Sequence, residues 1–88
     1  MVRMLARVIV MPKPVVNDPQ GTTVKGGLRR LGFDQVEEVR VGKYIEVRLV
    51  AETEAAARER VEQMCSQLLA NHVIEDFRFE LGREERQA

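Results

Sequence analysis

Tryptophan is missing, aromatic content is limited to one tyrosine and three phenylalanines, and cysteine and histidine occur once each. Each scarcity removes a class of chemistry. A lone thiol, Cys65, forms no intrachain disulfide and leaves no C-x-x-C spacing for structural zinc or a redox pair. So few aromatics supply no strand motif on which RNA bases would stack. Neither sign of charge is in excess, with 14 Lys plus Arg against 14 Asp plus Glu, so the usual electrostatic case for nucleic acid or an anionic membrane is absent. Long apolar runs are also lacking: "MVRMLARVIVM" is too short, and too interrupted by Arg3 and Arg7, for a signal peptide or a membrane span. A cytoplasmic protein with no nucleic-acid or membrane partner is the expectation. The glycines miss the G-x-x-x-x-G-K-[ST] and G-x-G-x-x-G spacings of phosphate cradles.

What the 88 residues do contain is enough apolar content, 44%, for one small packed domain. The expected domain covers residues 1–82, and 83–88 reads as a charged, frayed tail because "GREERQA" has no apolar partner. All three prolines, Pro12, Pro14 and Pro19, lie in or beside "KPVVNDPQG". Residues 4–11 read as a strand with Met4, Ala6, Val8 and Val10 on one face and Leu5, Arg7, Ile9 and Met11 on the other. Asp18 is placed to cap a helix with Pro19 at its first position, and Gly32 to end it. Val24, Leu28 and Leu31 form its apolar stripe, while Gly26 and Gly27 weaken it by about 1 kcal/mol each against alanine.

Apolar residues occupy the odd positions Val39, Val41, Ile45, Val47 and Leu49. Two strands joined by an odd-length loop at Gly42 to Tyr44, or one long bent strand, both satisfy that parity. Thr53 is placed to cap a second helix to about Ala70, with Ala57, Val61, Met64, Cys65, Leu68 and Leu69 as its inner face and Asn71 as a left-handed stop. Phe77, Phe79 and Leu81 then alternate with Arg78 and Glu80 as a last strand. The order βαββαβ is that of an α+β, ferredoxin-like domain, an antiparallel sheet with two helices on one face. The other face, with Leu5, Arg7 and Ile9, is a place for sheet-to-sheet contact with a second copy.

No constellation suggests independent catalysis or metal binding. Cys65 lies on an apolar stripe, where burial makes a thiol inert. His72 follows the second helix, where histidine commonly caps or sits in a turn. Glu37 with Glu38, and Glu75 with Asp76, are adjacent and would point to opposite faces of a strand. Gly42 with Lys43 reads as a turn.

Lys13-Pro14, Asp18-Pro19-Gln20-Gly21, Leu31-Gly32, Val39-Arg40 with Gly42-Lys43, and Cys65 with "LLANHVIED" together resemble the PurS family. These are the small subunits of phosphoribosylformylglycinamidine synthase in purine biosynthesis, and the resemblance spans residues 4 to about 80. Val15, Asn17 and His72 depart from the family pattern, which usually has Gly, an apolar residue and Pro there; His72 thereby removes a rigid stop. The resemblance implies a non-catalytic subunit that forms a homodimer or a dimer of dimers. It would bridge a synthetase subunit, PurL, and a glutaminase subunit, PurQ. This chain would bind no cofactor itself, while the complex uses ATP and magnesium. The expected partner-contact residues are Lys13, Pro14, Asp18, Pro19, Gln20, Gly21, Gly42 and Lys43. An ACT-like small-molecule-binding regulatory domain is the alternative, since it shares the element order.

Overall fold

The computed structural model describes residues 1–84. Its elements are β1 (Val2–Pro12), α1 (Pro19–Arg30), β2 (Lys43–Ala51), α2 (Glu54–Met64), a π-helical turn (Cys65–Leu69) and β3 (Glu75–Arg83). Strand β1 is central, antiparallel to β2 on one side and to β3 on the other.

The period-two pattern of β1 sets the layers. Met4, Ala6, Val8 and Val10 are fully buried beneath α2, where Val61 and Cys65 meet them. The register carries this face across the sheet: Val8 lies opposite Ile45 and Phe79, and Ala6 opposite Val47 and Leu81. On the uncovered face Arg7 sits between Glu46 and Glu80. Opposite charges directly across strands stabilise a sheet by about 0.2–1 kcal/mol per pair. That row explains how an arginine occupies the middle of the central strand.

The α+β class and antiparallel sheet are as expected, but two parts of the expected βαββαβ arrangement are corrected. First, residues 39–42 form no strand, so the sheet has three strands. The reason lies in competing hydrogen bonds: the Val41 N–H that would join a ladder is held by the Asp18 carboxylate at 2.8 Å, and Pro12 ends β1 without an N–H to offer. The chain from Val39 to Gly42 instead runs along the start of α1 as a strap, with Val39, Arg40 and Val41 all half-buried. Second, α1 does not share a sheet face with α2. Its only buried residue is Gly21, and no α1 side chain belongs to the core, which draws on β1, β2, α2, the π-turn and β3.

Helix α1 nevertheless has complete ends. Asp18 caps its first turn, and Arg29 and Arg30 face the negative end of its dipole. At the other end the Phe33 N–H donates to the Leu28 carbonyl and the Gly32 N–H to the Arg29 carbonyl, both at 3.0 Å. These are the two bonds of a Schellman cap, with Gly32 at φ 100° where a Cβ would be strained.

Helix α2 starts at Thr53, whose hydroxyl accepts the Ala56 N–H at 3.0 Å. Its last turn widens, with the Ala70 N–H reaching back five residues to the Cys65 carbonyl at 3.0 Å. The widening turns Leu69 onto the core and leaves Leu68 83% exposed, correcting the expectation that both face inward. It also replaces the expected left-handed stop at Asn71. Ala70 is extended, with φ −127° and ψ 143°, and Asn71 instead closes a turn by accepting the Val73 N–H on its side chain at 3.1 Å. Strand β3 continues through Arg83, and the Glu84 carboxylate meets Arg48 at 2.7 Å, so order extends beyond the expected boundary at 82. The rest of the expected frayed tail, 85–88, lies outside the described residues.

Candidate docking surface at one end of the sheet

The antiparallel order brings the end of β1 and the starts of β2 and β3 to the same edge of the molecule. All eight residues singled out by sequence lie at or beside this edge. Lys13 continues the β1 pairing past Pro12, its N–H donating to the Ile74 carbonyl at 2.8 Å, while its carbonyl accepts the Val16 N–H at 3.0 Å. A tight turn through Pro14 and Val15 follows, and Val15 stands 92% exposed at its tip. The Lys13 ammonium lies 3.9 Å from Asp76 and the Lys43 ammonium 3.5 Å from Glu75, so the two basic residues converge on the first residues of β3, one from just past the end of adjacent β1 and one from the start of β2 beyond it. Such exposed pairs contribute little stability.

Asp18 does more than cap α1. Oδ1 accepts the Gly21 N–H at 3.0 Å, and Oδ2 accepts the Val41 N–H at 2.8 Å. These two backbone donors hold its carboxyl below the ordinary carboxylate range, with the Arg40 charge adding a smaller push in the same direction. With both oxygens engaged, Asp18 is a structural acceptor and not a poised base.

Gly21 and Gly42 are required by close approach. A Cβ on Gly21 would overlap the Val39 carbonyl oxygen, and one on Gly42 would overlap the Val10 carbonyl oxygen and the Met11 sulfur. The strap therefore lies flush against both α1 and β1. Pro19, Gln20, Thr23 and Val24 line a shallow, mostly apolar depression with Val41. The Thr22 and Thr23 hydroxyls donate back to the Asp18 and Pro19 carbonyls at 3.1 and 2.9 Å.

Sequence reasoning missed the neighbouring turn as part of this surface. Val73 is 81% and Ile74 41% exposed, and the Lys13–Ile74 bond fixes them beside the Pro14–Val15 turn. Two apolar residues in a polar turn, outside any periodic element, were the available signal. His72, beside them, has Nε2 at 2.9 Å from the Ser66 carbonyl. A carbonyl only accepts, so this nitrogen carries the proton and the ring caps the π-turn. Cys65 is fully buried, and desolvation, reinforced by the nearby Glu62 charge, pushes its thiol up from the ordinary range. Among the described residues no cluster of three or more His, Cys, Asp or Glu is placed to hold a metal ion, and no helix is long and apolar enough to cross a membrane. The arrangement is that of a preformed, backbone-locked surface with apolar tips.

Comparison with known proteins places relatives beside this geometry. Residues 5–83 match the family model described as PurS, phosphoribosylformylglycinamidine (FGAM) synthase. The PurS subunit of that synthase from Synechocystis is 52% identical over 75 residues, covering 85% of this chain and 75% of that one. The Methanocaldococcus jannaschii subunit is 40% identical over 80 residues, covering 91% of this chain and 96% of that one. Among solved structures, Thermus thermophilus PurS superposes with a TM-score of 0.84 at 40% identity, over 94% of this chain and 99% of that one. A chain of the Thermotoga maritima PurLQS structure superposes with a TM-score of 0.82 at 31% identity, over 96% of this chain and 100% of that one.

Proposed function

This chain belongs to the PurS family of phosphoribosylformylglycinamidine synthase subunits, and on that premise we propose that it is the non-catalytic bridging subunit of the synthase. It unites a PurL-type synthetase subunit with a PurQ-type glutaminase subunit in the cytoplasm and associates with itself. ATP and magnesium act at the synthetase subunit, and this chain binds neither. Its contribution is positional. Ammonia released from glutamine has to reach the activated amide before it escapes or is protonated, so holding two active centres in register raises the yield of each turnover.

The observation that carries this reading is the double use of Asp18, which ties the Pro12–Gly21 loop, the start of α1 and the strap into one rigid surface. A surface fixed before binding avoids an ordering cost of about 0.5–1.5 kcal/mol for each rotamer-rich side chain it would otherwise immobilise. Self-association is supported by the α1 stripe, of which Val24 and Leu31 stay exposed among the described residues. The partners are supported by the likeness to a chain of the PurLQS structure over its full length.

The test is product formation by the purified synthetase and glutaminase subunits with and without this chain. One arm supplies glutamine and the other a high concentration of ammonium salt. The expected result is that the glutamine arm needs this chain and the ammonium arm largely does not. If neither arm responds, the bridging role is wrong.

A further inference from the structure

A polar cavity of about 190 Å³ opens between the Pro14–Asn17 turn, the first turns of α1 and the start of the strap. Its charged lining, Lys25, Glu38 and Arg40, lies outside the docking residues described above. The walls are fixed before any ligand arrives. The Val16 N–H donates to the Lys13 carbonyl at 3.0 Å, Asp18 ties α1 to the strap, and Gly21 lies flush against Val39.

Both signs of charge face this space without meeting. Lys25 and Arg40 are half-buried and Glu38 is exposed, yet among the described residues none of the three forms an ion pair within 4.0 Å. Withdrawing a cation from water without a counter-charge costs free energy, which a ligand carboxylate offsets. Asp18 does not supply that counter-charge by direct contact, because its two oxygens accept the Gly21 and Val41 N–H groups. The Thr22 hydroxyl gives its proton to the Asp18 carbonyl at 3.1 Å, so it offers the cavity only lone pairs. The lining thus has a donor half, Lys25 and Arg40, and an acceptor half, Glu38 and Thr22.

That division selects the ligand. A phosphate would satisfy the two cations but would also face Glu38 and the Thr22 lone pairs. A metal ion would find one free carboxylate in the lining, since Asp18 is engaged. A nucleotide needs more room, because pockets for drug-sized ligands run to roughly 300–1,000 Å³. What matches both halves at this size is a small zwitterion. We propose that the cavity binds a free α-amino acid, its carboxylate held between Lys25 and the guanidinium fork of Arg40 and its ammonium facing Glu38 and the Thr22 oxygen. Arginine suits this part because its planar fork matches a carboxylate with two parallel hydrogen bonds. The site adjoins the docking surface through Pro14 and Asp18 but does not depend on the bridging role.

The test is a titration of the full chain followed by amide NMR shifts at fixed ionic strength. L-Glutamine, L-glutamate and L-alanine are the probes, with inorganic phosphate and methylammonium as controls that carry only one sign of charge. At least one amino acid is expected to give saturable shifts centred on Thr22, Lys25, Val39 and Arg40, with a dissociation constant at least tenfold below that of either control. Lys25→Gln, Arg40→Gln and Glu38→Gln, each at a surface position, should each raise that constant at least fivefold while amides away from the cavity keep their wild-type shifts. No saturable binding up to about 10 mM, the weak end of specific recognition, overturns the site. Phosphate binding as tightly as the best amino acid overturns the zwitterion in favour of a simple anion site. Saturable shifts that all three variants leave unchanged place the amino acid elsewhere and overturn the assignment to this cavity. None of these outcomes bears on the glutamine and ammonium assay, which reads the bridging role separately.

Discussion

Asp18 accepts the Val41 N–H at 2.8 Å across 23 residues of sequence, while its other oxygen holds the Gly21 N–H. One carboxylate thus begins a helix and stops a strand. Asp18→Ala removes both bonds and should lower Tm by about 4–8 °C, the shift that loss of one cap produces in a domain of this size. Asp18→Asn keeps one acceptor oxygen and should lose less. Thermal denaturation of the two variants checks the order; an Asp18→Asn variant as stable as the wild type would mean that only the cap matters, since asparagine caps a helix about as well as aspartate.

The same carboxyl gives a pH signature. Its folded-state pKa is lowered by the Gly21 and Val41 N–H groups, while in the unfolded chain an aspartate titrates near about 3.9. Between the two values the unfolded chain binds a proton that the folded one does not, so stability rises with pH there. The contribution is present above pH of about 4 and fades as pH falls through the lowered value. Urea midpoints between pH 5 and pH 3 should fall more steeply for the wild type than for Asp18→Asn. Parallel curves would assign the acid sensitivity to other groups.

Gly21→Ala and Gly42→Ala both force a Cβ into a backbone carbonyl, of Val39 and Val10 respectively. Overpacking of this kind costs about 1–3 kcal/mol. Because Gly21 also lies where the strap crosses α1, its variant should weaken binding to the synthetase and glutaminase subunits as well. Chemical denaturation and a binding titration separate the two effects. Full stability in Gly21→Ala would mean that the strap moves aside without cost.

Lys13→Ala and Gln20→Ala touch the surface without touching the fold. Lys13 holds only a 3.9 Å contact to Asp76 through its side chain, and exposed pairs contribute about 0–1 kcal/mol. Tm should stay within about 2–4 °C, since surface substitutions change stability by about 0.5 kcal/mol or less. Affinity for the synthetase and glutaminase subunits should fall about fivefold to tenfold, the scale of roughly 1 kcal/mol at an interface. Unchanged affinity would remove these residues from the contact.

Cys65, at the start of the π-turn that continues α2, is sealed in the core and its thiol is pushed up by burial. A thiolate-directed reagent such as a disulfide dye should react slowly with the native protein and at least tenfold faster in urea, since the thiolate is the reactive form. Rapid native labelling at neutral pH would show that the π-turn opens readily.

Much of the fold was legible because local rules decide it. The β1 alternation, the Asp18-Pro19 start, the Leu31-Gly32 stop and the Thr53 cap each depend on neighbours within a few residues, and each stands where its chemistry puts it. The missing fourth strand was illegible because the competing acceptor for Val41 lies 23 residues away. The outward turn of Leu68 was equally hidden: a stripe counted at 3.6 residues per turn does not announce a widened turn. Val73 and Ile74 carried a weak signal, apolar residues in a turn, which only their bond to Lys13 made meaningful.

The sequence by itself determined the element types, the buried face of β1, the rigidity of the Pro12–Gly21 loop and, through its motifs, the family. Those are properties of periodicity, caps and fixed φ angles, which act along the chain. Tertiary structure alone decided that the loop, the strap and the Asn71–Ile74 turn meet at one end of the sheet, and that α1 leaves its own core uncovered. Both depend on hydrogen bonds and packing between segments far apart in sequence, where a single backbone N–H or one vacant strip of sheet selects among arrangements that the local pattern permits equally.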